Sequence, residues 1–314
     1  MTRHFRTLVD LEPDELVALI GRARELKRLR GTAAHPRPLE GKAVVIALEK
    51  ASTRTRVSFE VGIAELGAQP ITLISSSTQM GRGEPIEDTA RMLSAYCHGV
   101  VYRTFGHDRV EAMCRAATVP VINGLSETYH PCQLLADLQT VQESFGRLEG
   151  LRVAWIGDGN NMAHSWILAA AQVGLELVLA CPEGYEPDDA VLERARAIGR
   201  GSVSVVREPA QAAEGSHVVT TDVWASMGHE AETRARAAAF AAYQVDAALM
   251  ARARPEAIFL HCLPAHRGEE VAADVIDGPA SRVWIEAENR LHAQKALLEA
   301  LFGAQWMESA RKGR

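Results

Sequence analysis

Two doubly wound parallel-sheet domains of the α/β class, Rossmann-like in architecture, are predicted by three observations. Short, continuously apolar runs alternate with amphipathic stretches, as expected of strands covered by helices on both faces. One such series closes at Gly146 and a second opens at Leu151. The chain has 314 residues, the length of two domains of ~150 residues each.

The first domain, residues 1–146, starts with a helix over its first ~30 residues. Pro13 suits a first turn, Asp14 and Glu15 suit the positive end of the dipole, and Leu16, Leu19, Ile20, Ala23 and Leu26 recur at three and four. Strands follow at Ala43–Leu48, Pro70–Ile74, Val100–Tyr102 and Val119–Ile122, with helices at Arg54–Leu66, Glu87–Tyr96 and Arg109–Ala116. A helix from Cys132 to Phe145 links the halves as a stiff connector, because no Gly/Ser/Pro-rich linker separates them. The second domain, residues 147–286, has apolar runs at Val153–Ile156, Leu175–Ala180, Val203–Val206, His217–Thr221, Ile258–Leu260 and Val283–Ile285. The last helix, over residues 287–303, is expected to pack back on the first domain.

Composition removes several classes of function. Thirty-four basic and 40 acidic residues leave a formal charge of -6, without the basic excess that holds a nucleic-acid backbone. The most apolar stretch, Trp166 to Cys181, is broken by Gln172 and Glu176, so no membrane span is expected. The first residues lack an apolar run behind their positive charges, which predicts no secretion signal and a cytoplasmic protein. Five cysteines, none in a Cys-x-x-Cys pair, indicate reduced thiols rather than disulfides or a zinc knuckle.

Ligands of open parallel sheets bind beyond the carboxyl ends of the strands, and four polar clusters fall there. In Glu49-Lys50-Ala51-Ser52-Thr53-Arg54-Thr55-Arg56, Ser52 is a good N-cap. The free amides of Thr53, Arg54 and Thr55, the helix dipole and the guanidinium of Arg54 then form an anion cradle without a glycine-rich loop. The alternative is a capped helix with a solvated basic face; two arginines at this strand end favour the anion. The second cluster is Arg103, directly after a buried strand, with His130-Pro131-Cys132-Gln133. His130 and Gln133 offer donors to polarise a carbonyl, although His130 alone reads as a structural histidine.

The third cluster joins Gly157-Asp158-Gly159-Asn160-Asn161-Met162 to Asp222 and Ser226-Met227-Gly228. A dinucleotide fingerprint needs a small residue where Met162 stands and an acid where Cys181-Pro182 stands. A nicotinamide enzyme is therefore disfavoured, and two amides, an acid and a loop remain, suited to the head group of an amino acid; two ordinary turns are the plain alternative. The fourth is His261-Cys262-Leu263-Pro264, with Glu286 to Arg290 further on. No metal is expected here, because adjacent side chains on an extended segment point apart.

Taken together, Ser52-Thr53-Arg54-Thr55-Arg56, His130-Pro131-Cys132-Gln133, Asp222 with Ser226-Met227-Gly228, and His261-Cys262-Leu263-Pro264 resemble the signature set of the ornithine carbamoyltransferases, in order from about Phe5 to Phe302. The resemblance implies that the first domain binds carbamoyl phosphate, the second binds L-ornithine, and the active site lies in the cleft between them, with no cofactor. It puts the phosphate on Ser52, Thr53, Arg54, Thr55 and Arg103. The carbamoyl group falls to Arg103, His130, Gln133, Cys262, Leu263 and Arg290, with Gln79, Pro131 and Cys132 also among the carbamoyl phosphate-binding residues, and ornithine to Asn161, Asp222, Ser226 and Met227. Gln79 matches a residue that reaches a neighbouring subunit's site, which implies a homotrimer with shared active sites. Pro85 departs from the serine of many relatives, so the form of that loop is left open.

The reaction so implied is attack of the ornithine side-chain amine on the carbamoyl carbon, then loss of phosphate to give citrulline. Arg103, His130, Asp222 and Cys262 are the expected catalytic groups. An aliphatic amine titrates at ~10.4, so its neutral form must be selected or produced, a task assigned to Asp222 and Cys262. Rival readings are an amino-acid-binding protein, which has no use for a phosphate cradle, and transfer to another amine such as putrescine, against which the head-group residues weigh. Arginine synthesis is preferred to arginine breakdown, although both use one site.

Overall fold

The computed structural model describes residues 2–225 and 233–302. After a single 3-10 turn at Leu8–Asp10, the elements run α1 (Pro13–Leu29), β1 (Ala43–Leu48), α2 (Thr53–Glu65), β2 (Gln69–Ile74), α3 (Ile86–Tyr96), β3 (Gly99–Arg103), α4 (His107–Ala116) and β4 (Val121–Leu125). Helix α5 (Pro131–Phe145) carries the chain onward into β5 (Arg152–Ile156), α6 (Asn161–Val173), β6 (Glu176–Ala180), α7 (Asp189–Ile198), β7 (Ser202–Val206), α8 (Pro209–Ala213) and β8 (Val218–Thr221). Then come α9 (Thr233–Phe240), α10 (Ala247–Met250), β9 (Ile258–His261), α11 (Ala273–Ile276) and α12 (Val283–Phe302).

The chain divides into two compact units, with the divisions after Gln139 and after Glu288, inside α5 and α12. In the first unit the strands are ordered β2-β1-β3-β4, and in the second β7-β6-β5-β8-β9, all pairs parallel. Both units are therefore α/β and doubly wound, as the apolar runs predict. Strand order reverses between β1 and β3 in one sheet and between β5 and β8 in the other. Each reversal leaves a crevice at the carboxyl ends, because the helices following the two strands leave in opposite directions. Leu48 pairs with Arg103 at the first reversal and Ile156 with Thr221 at the second, so the polar clusters sit at the two switch points.

Two expectations need correction. Val283–Ile285 is not a strand: it is the first turn of α12. Edge pairing with β9 consists of the single bridge Phe259 to Ser281, flanked by bonds from Phe259 N to Ala280 O and from Arg282 N to Phe259 O. Trp284 and Ile285 are then 64% and 41% exposed, which a strand buried on both faces does not allow. Strand β4 starts at Val121 rather than Val119, because Pro120 has no N–H to give to a ladder and only its carbonyl pairs, with Val100 N.

The Asn289–Phe302 part of α12 belongs to the first unit. Its buried polar groups are paired across that unit. Lys27 Nζ donates to Asn289 Oδ1 (2.7 Å), Arg22 Nε to Glu299 Oε2 (2.7 Å) and Lys295 Nζ to Glu65 Oε2 (2.7 Å). His292 is fully buried there, and burial, reinforced by the positive charges of Lys295, Lys27 and Arg30, lowers its pKa to about 3.

A histidine neutral in the fold and titrating near ~6.5 when unfolded binds its proton only in the unfolded chain, so stability falls as pH drops from about 6.5 toward 3. The loss approaches ~1.4 kcal/mol per pH unit for each such group. Thermal unfolding followed between pH 7 and pH 5 is therefore expected to show a falling midpoint. The His292→Gln variant should show a slope shallower by one proton; an unchanged slope would refute the assignment.

Candidate active site

At the first switch point Ser52 caps α2, its Oγ accepting from Thr55 N at 3.3 Å, and the first intrahelical bond runs from Arg56 N to Ser52 O. The sequence-based picture of three free amides is corrected to two: the amide of Thr55 belongs to the cap, and those of Thr53 and Arg54 point out of the helix end. Arg56 also leaves the cradle, since its Nε donates to Glu60 Oε1 (2.9 Å) one turn on. Arg54 is exposed and its guanidinium makes no hydrogen bond or ion pair among the described residues. An anion here meets two amides, the positive end of a 13-residue helix and one guanidinium.

Arg103, 7% exposed at the end of β3, donates from Nη1 to Thr55 Oγ1 (3.3 Å). Support behind both comes from Glu49, which heads the first polar cluster but has no role legible in the sequence. Its N–H donates to Arg103 O (2.9 Å), and its carboxylate accepts from Arg109 Nη2 (2.5 Å) and from Thr104 Oγ1. Burial disfavours this charge, but Arg109 and Thr104 outweigh it and hold Glu49 below its ordinary value.

His130 precedes Pro131, the first residue of α5, a position where the missing N–H costs nothing. The imidazole is 6% exposed, and its pKa lies well below the usual value because of burial first and then the charges of Arg290, Arg103 and Arg54. At neutral pH it is an uncharged donor ringed by cations, suited to a carbonyl oxygen that gains negative charge. Gln133 is held between two partners: its Oε1 accepts from Arg290 Nη1 (2.6 Å) and its Nε2 donates to Asp137 Oδ1 (2.8 Å). Arg290 is 3% exposed. Cys132 is fully buried with its thiol on Asn123 O (3.3 Å), and burial pushes it up to about 12. Its side chain serves the core, so any ligand contact comes from its backbone. Gln79 lies apart on the exposed connection between β2 and α3.

At the second switch point Asp222 follows β8. Its Oδ1 accepts from Val223 N (2.8 Å) and Cys262 Sγ (3.1 Å), and its Oδ2 from Asn160 Nδ2 (2.9 Å). Asn161 begins α6, and Ser226 and Met227 lie outside the described residues. After β9, Leu263 takes a left-handed φ of 57°, unusual for a side chain branched at Cγ. Leu263 N donates to His261 Nδ1 (2.9 Å), while His261 Nε2 faces Glu270 Oε1 (3.2 Å) and His261 N donates to Glu286 Oε2 (2.9 Å). Two buried acids, invisible as such in a run reading as surface charge, thus shape the turn that presents Cys262.

The idea that His261 and Cys262 point apart is corrected. One ligand-type atom from each, and one from Asp222, lie within 4.8 Å of one another. Yet Nδ1 of His261 already accepts a hydrogen bond from Leu263 N, which makes Nε2 the donor to Glu270 and leaves the imidazole no free lone pair for an ion.

One unit thus carries an anion cradle with a neutral hydrogen-bond donor and the other an acid with a thiol, chemistry suited to two small substrates, as in a group transferase. Comparison with known proteins agrees. The carbamoyl-P binding domain of aspartate/ornithine carbamoyltransferases matches residues 3–143, and the Asp/Orn binding domain matches 149–301. A protein of Geobacter metallireducens named ornithine carbamoyltransferase is 53% identical over 301 residues, covering 96% of this chain and 99% of its own. One of Pseudomonas aeruginosa, named the anabolic ornithine carbamoyltransferase, is 52% identical over 299 residues, covering 95% and 97%. The solved ornithine carbamoyltransferase of Pyrococcus furiosus superposes with a TM-score of 0.92 at 46% identity, covering 96% of this chain and 97% of that one. The chain belongs to the aspartate/ornithine carbamoyltransferase family.

Proposed function

We propose that the chain transfers the carbamoyl group of carbamoyl phosphate to the side-chain amine of L-ornithine, giving L-citrulline and phosphate. The observation that carries an ammonium-bearing acceptor is Asp222, whose two oxygens are aimed by Val223 N, Cys262 and Asn160. Three donors leave acceptor capacity for one more, and a substrate ammonium fits it. Residues 1–146 would take carbamoyl phosphate and 147–286 ornithine. Relatives named ornithine carbamoyltransferase, one of them anabolic, support this reading and a role in arginine synthesis.

In this reading the phosphate sits on Ser52, Thr53, Arg54 and Thr55, and the carbamoyl oxygen faces Arg103 and neutral His130. Gln133 and Arg290, bonded to each other, hold the carbamoyl nitrogen side. The neutral amine attacks the carbamoyl carbon, the C–N bond forms, negative charge builds on the oxygen, and collapse breaks the C–O bond to phosphate. The amine's proton leaves with phosphate or solvent, and the enzyme forms no covalent intermediate. Alignment of two bound substrates can contribute ~7–11 kcal/mol to such a step, more than one oxyanion donor at ~3 kcal/mol.

Asn161, Ser226 and Met227 complete the ornithine contacts, Gln79 serves a neighbouring subunit of a homotrimer, and the protein works in the cytoplasm. No helix among the described residues is long and apolar enough to cross a membrane. A colorimetric citrulline assay with ornithine, putrescine, lysine and aspartate tests the reading: ornithine should be preferred, and greater turnover with putrescine would replace it. Removing the thiol donor in Cys262→Ala should raise KM for ornithine about 2- to 10-fold, as expected of one hydrogen bond, while KM for carbamoyl phosphate moves less. Steady-state kinetics with each substrate varied in turn measures both.

A further inference from the structure

We infer that Asn160, next to the residue assigned to ornithine, is a positioning residue whose amide sets the aim of the Asp222 carboxylate. The inference rests on the proposed ornithine reading. Asn160 sits between β5 and α6, beside Asp222 because β5 and β8 are neighbours in the sheet. It is the N-cap of α6, its Oδ1 accepting from Met162 N (2.9 Å) and Ala163 N (3.2 Å). With the oxygen held by two backbone amides, the side chain cannot turn over, and Nδ2 must face outward. There it donates to Asp222 Oδ2 at 2.9 Å.

The loop itself is pinned. Gly159 N donates to Tyr185 O (2.8 Å), Trp155 Nε1 to Asp158 O (2.9 Å), and a Cβ on Gly159 would come within 2.2 Å of Pro187 N. Asp158 is held in turn by Arg236 Nη1 (2.7 Å). Val223 N and Cys262 Sγ both act on Oδ1, so Asn160 is the side-chain donor that fixes Oδ2 and leaves its remaining lone pair for an ammonium. Both halves of one amide are needed, the carbonyl for the helix and the NH2 for the acid.

Helix capping alone does not distinguish asparagine from aspartate. Asn160→Asp therefore separates the two roles: it keeps the cap acceptor but sets a carboxylate against Oδ2 of Asp222. Expected are a melting temperature within the error of wild type, KM for carbamoyl phosphate within about twofold, and KM for ornithine raised at least tenfold. Asn160→Ser, which caps but is too short to reach Asp222, should raise the ornithine KM without added charge, and it carries the test if the aspartate variant fails to fold. Wild-type KM for ornithine in either folded variant would overturn the inference and show Asn160 to be a cap alone. Failure of the underlying reading looks different, because wild-type enzyme would then make no citrulline from ornithine.

Discussion

Arg54→Ala is expected to lose about 100- to 1000-fold in kcat/KM for carbamoyl phosphate, the magnitude of removing one charge-assisted contact to the leaving phosphate, ~3–4 kcal/mol. The guanidinium is exposed and makes no hydrogen bond or ion pair among the described residues, so the melting temperature should stay as it is. The amides of Thr53 and Arg54 and the α2 dipole remain in the variant, which is why some activity should persist. Arg54→Lys should recover only part of the loss, because an ammonium gives a phosphate point charge without the planar fork. Initial rates over a carbamoyl phosphate titration give the answer, and wild-type constants in the alanine variant would rule out the cradle.

Asp222→Asn is expected to act on the other substrate. Three donors converge on the two carboxylate oxygens, so replacing either oxygen by NH2 sets donor against donor and turns the group away from its ligand. The negative charge that meets an ammonium is lost at the same time. The two effects amount to ~2–3 kcal/mol, or roughly 30- to 150-fold in kcat/KM for ornithine. KM for carbamoyl phosphate should move little, since Asp222 and the cradle of Ser52 to Thr55 belong to different units. An equal loss for both substrates would point instead to general damage of the second unit.

Much of the first site could be read in the chain. Ser52 lies three residues from the amide it caps, and Arg103 ends an apolar strand. Such features are local, so a short window of sequence contains both partners. Arg56 was misplaced by the same window: its partner Glu60 is one helical turn away, and charge spacing alone does not say whether an arginine chooses a neighbour or a ligand. The first turn of α12 was misread as a strand because Val283-Trp284-Ile285 is apolar, and only its position past the single bridge at Ser281 exposes it.

Residues behind the sites were the least legible. Glu270 stands beside Glu269 in a run that looks solvated, yet it is fully buried against His261. Glu49 and Asn160 each support a site residue from a neighbouring strand end. Both lie inside polar clusters that the chain marks, but their supporting role is not legible there, because the groups they hold come from elsewhere in the sequence.

From sequence alone came the alternation of buried strands and helices, the split into two α/β units, the cap at Ser52 and the motifs themselves, all carried by neighbours in the chain. Tertiary structure decided which strand ends adjoin, and hence that Asn160 meets Asp222 across 62 positions and Arg290 meets Gln133 across 157. Strand order is a property of the assembled sheet: packing many apolar faces at once selects it, and no single segment contains that choice.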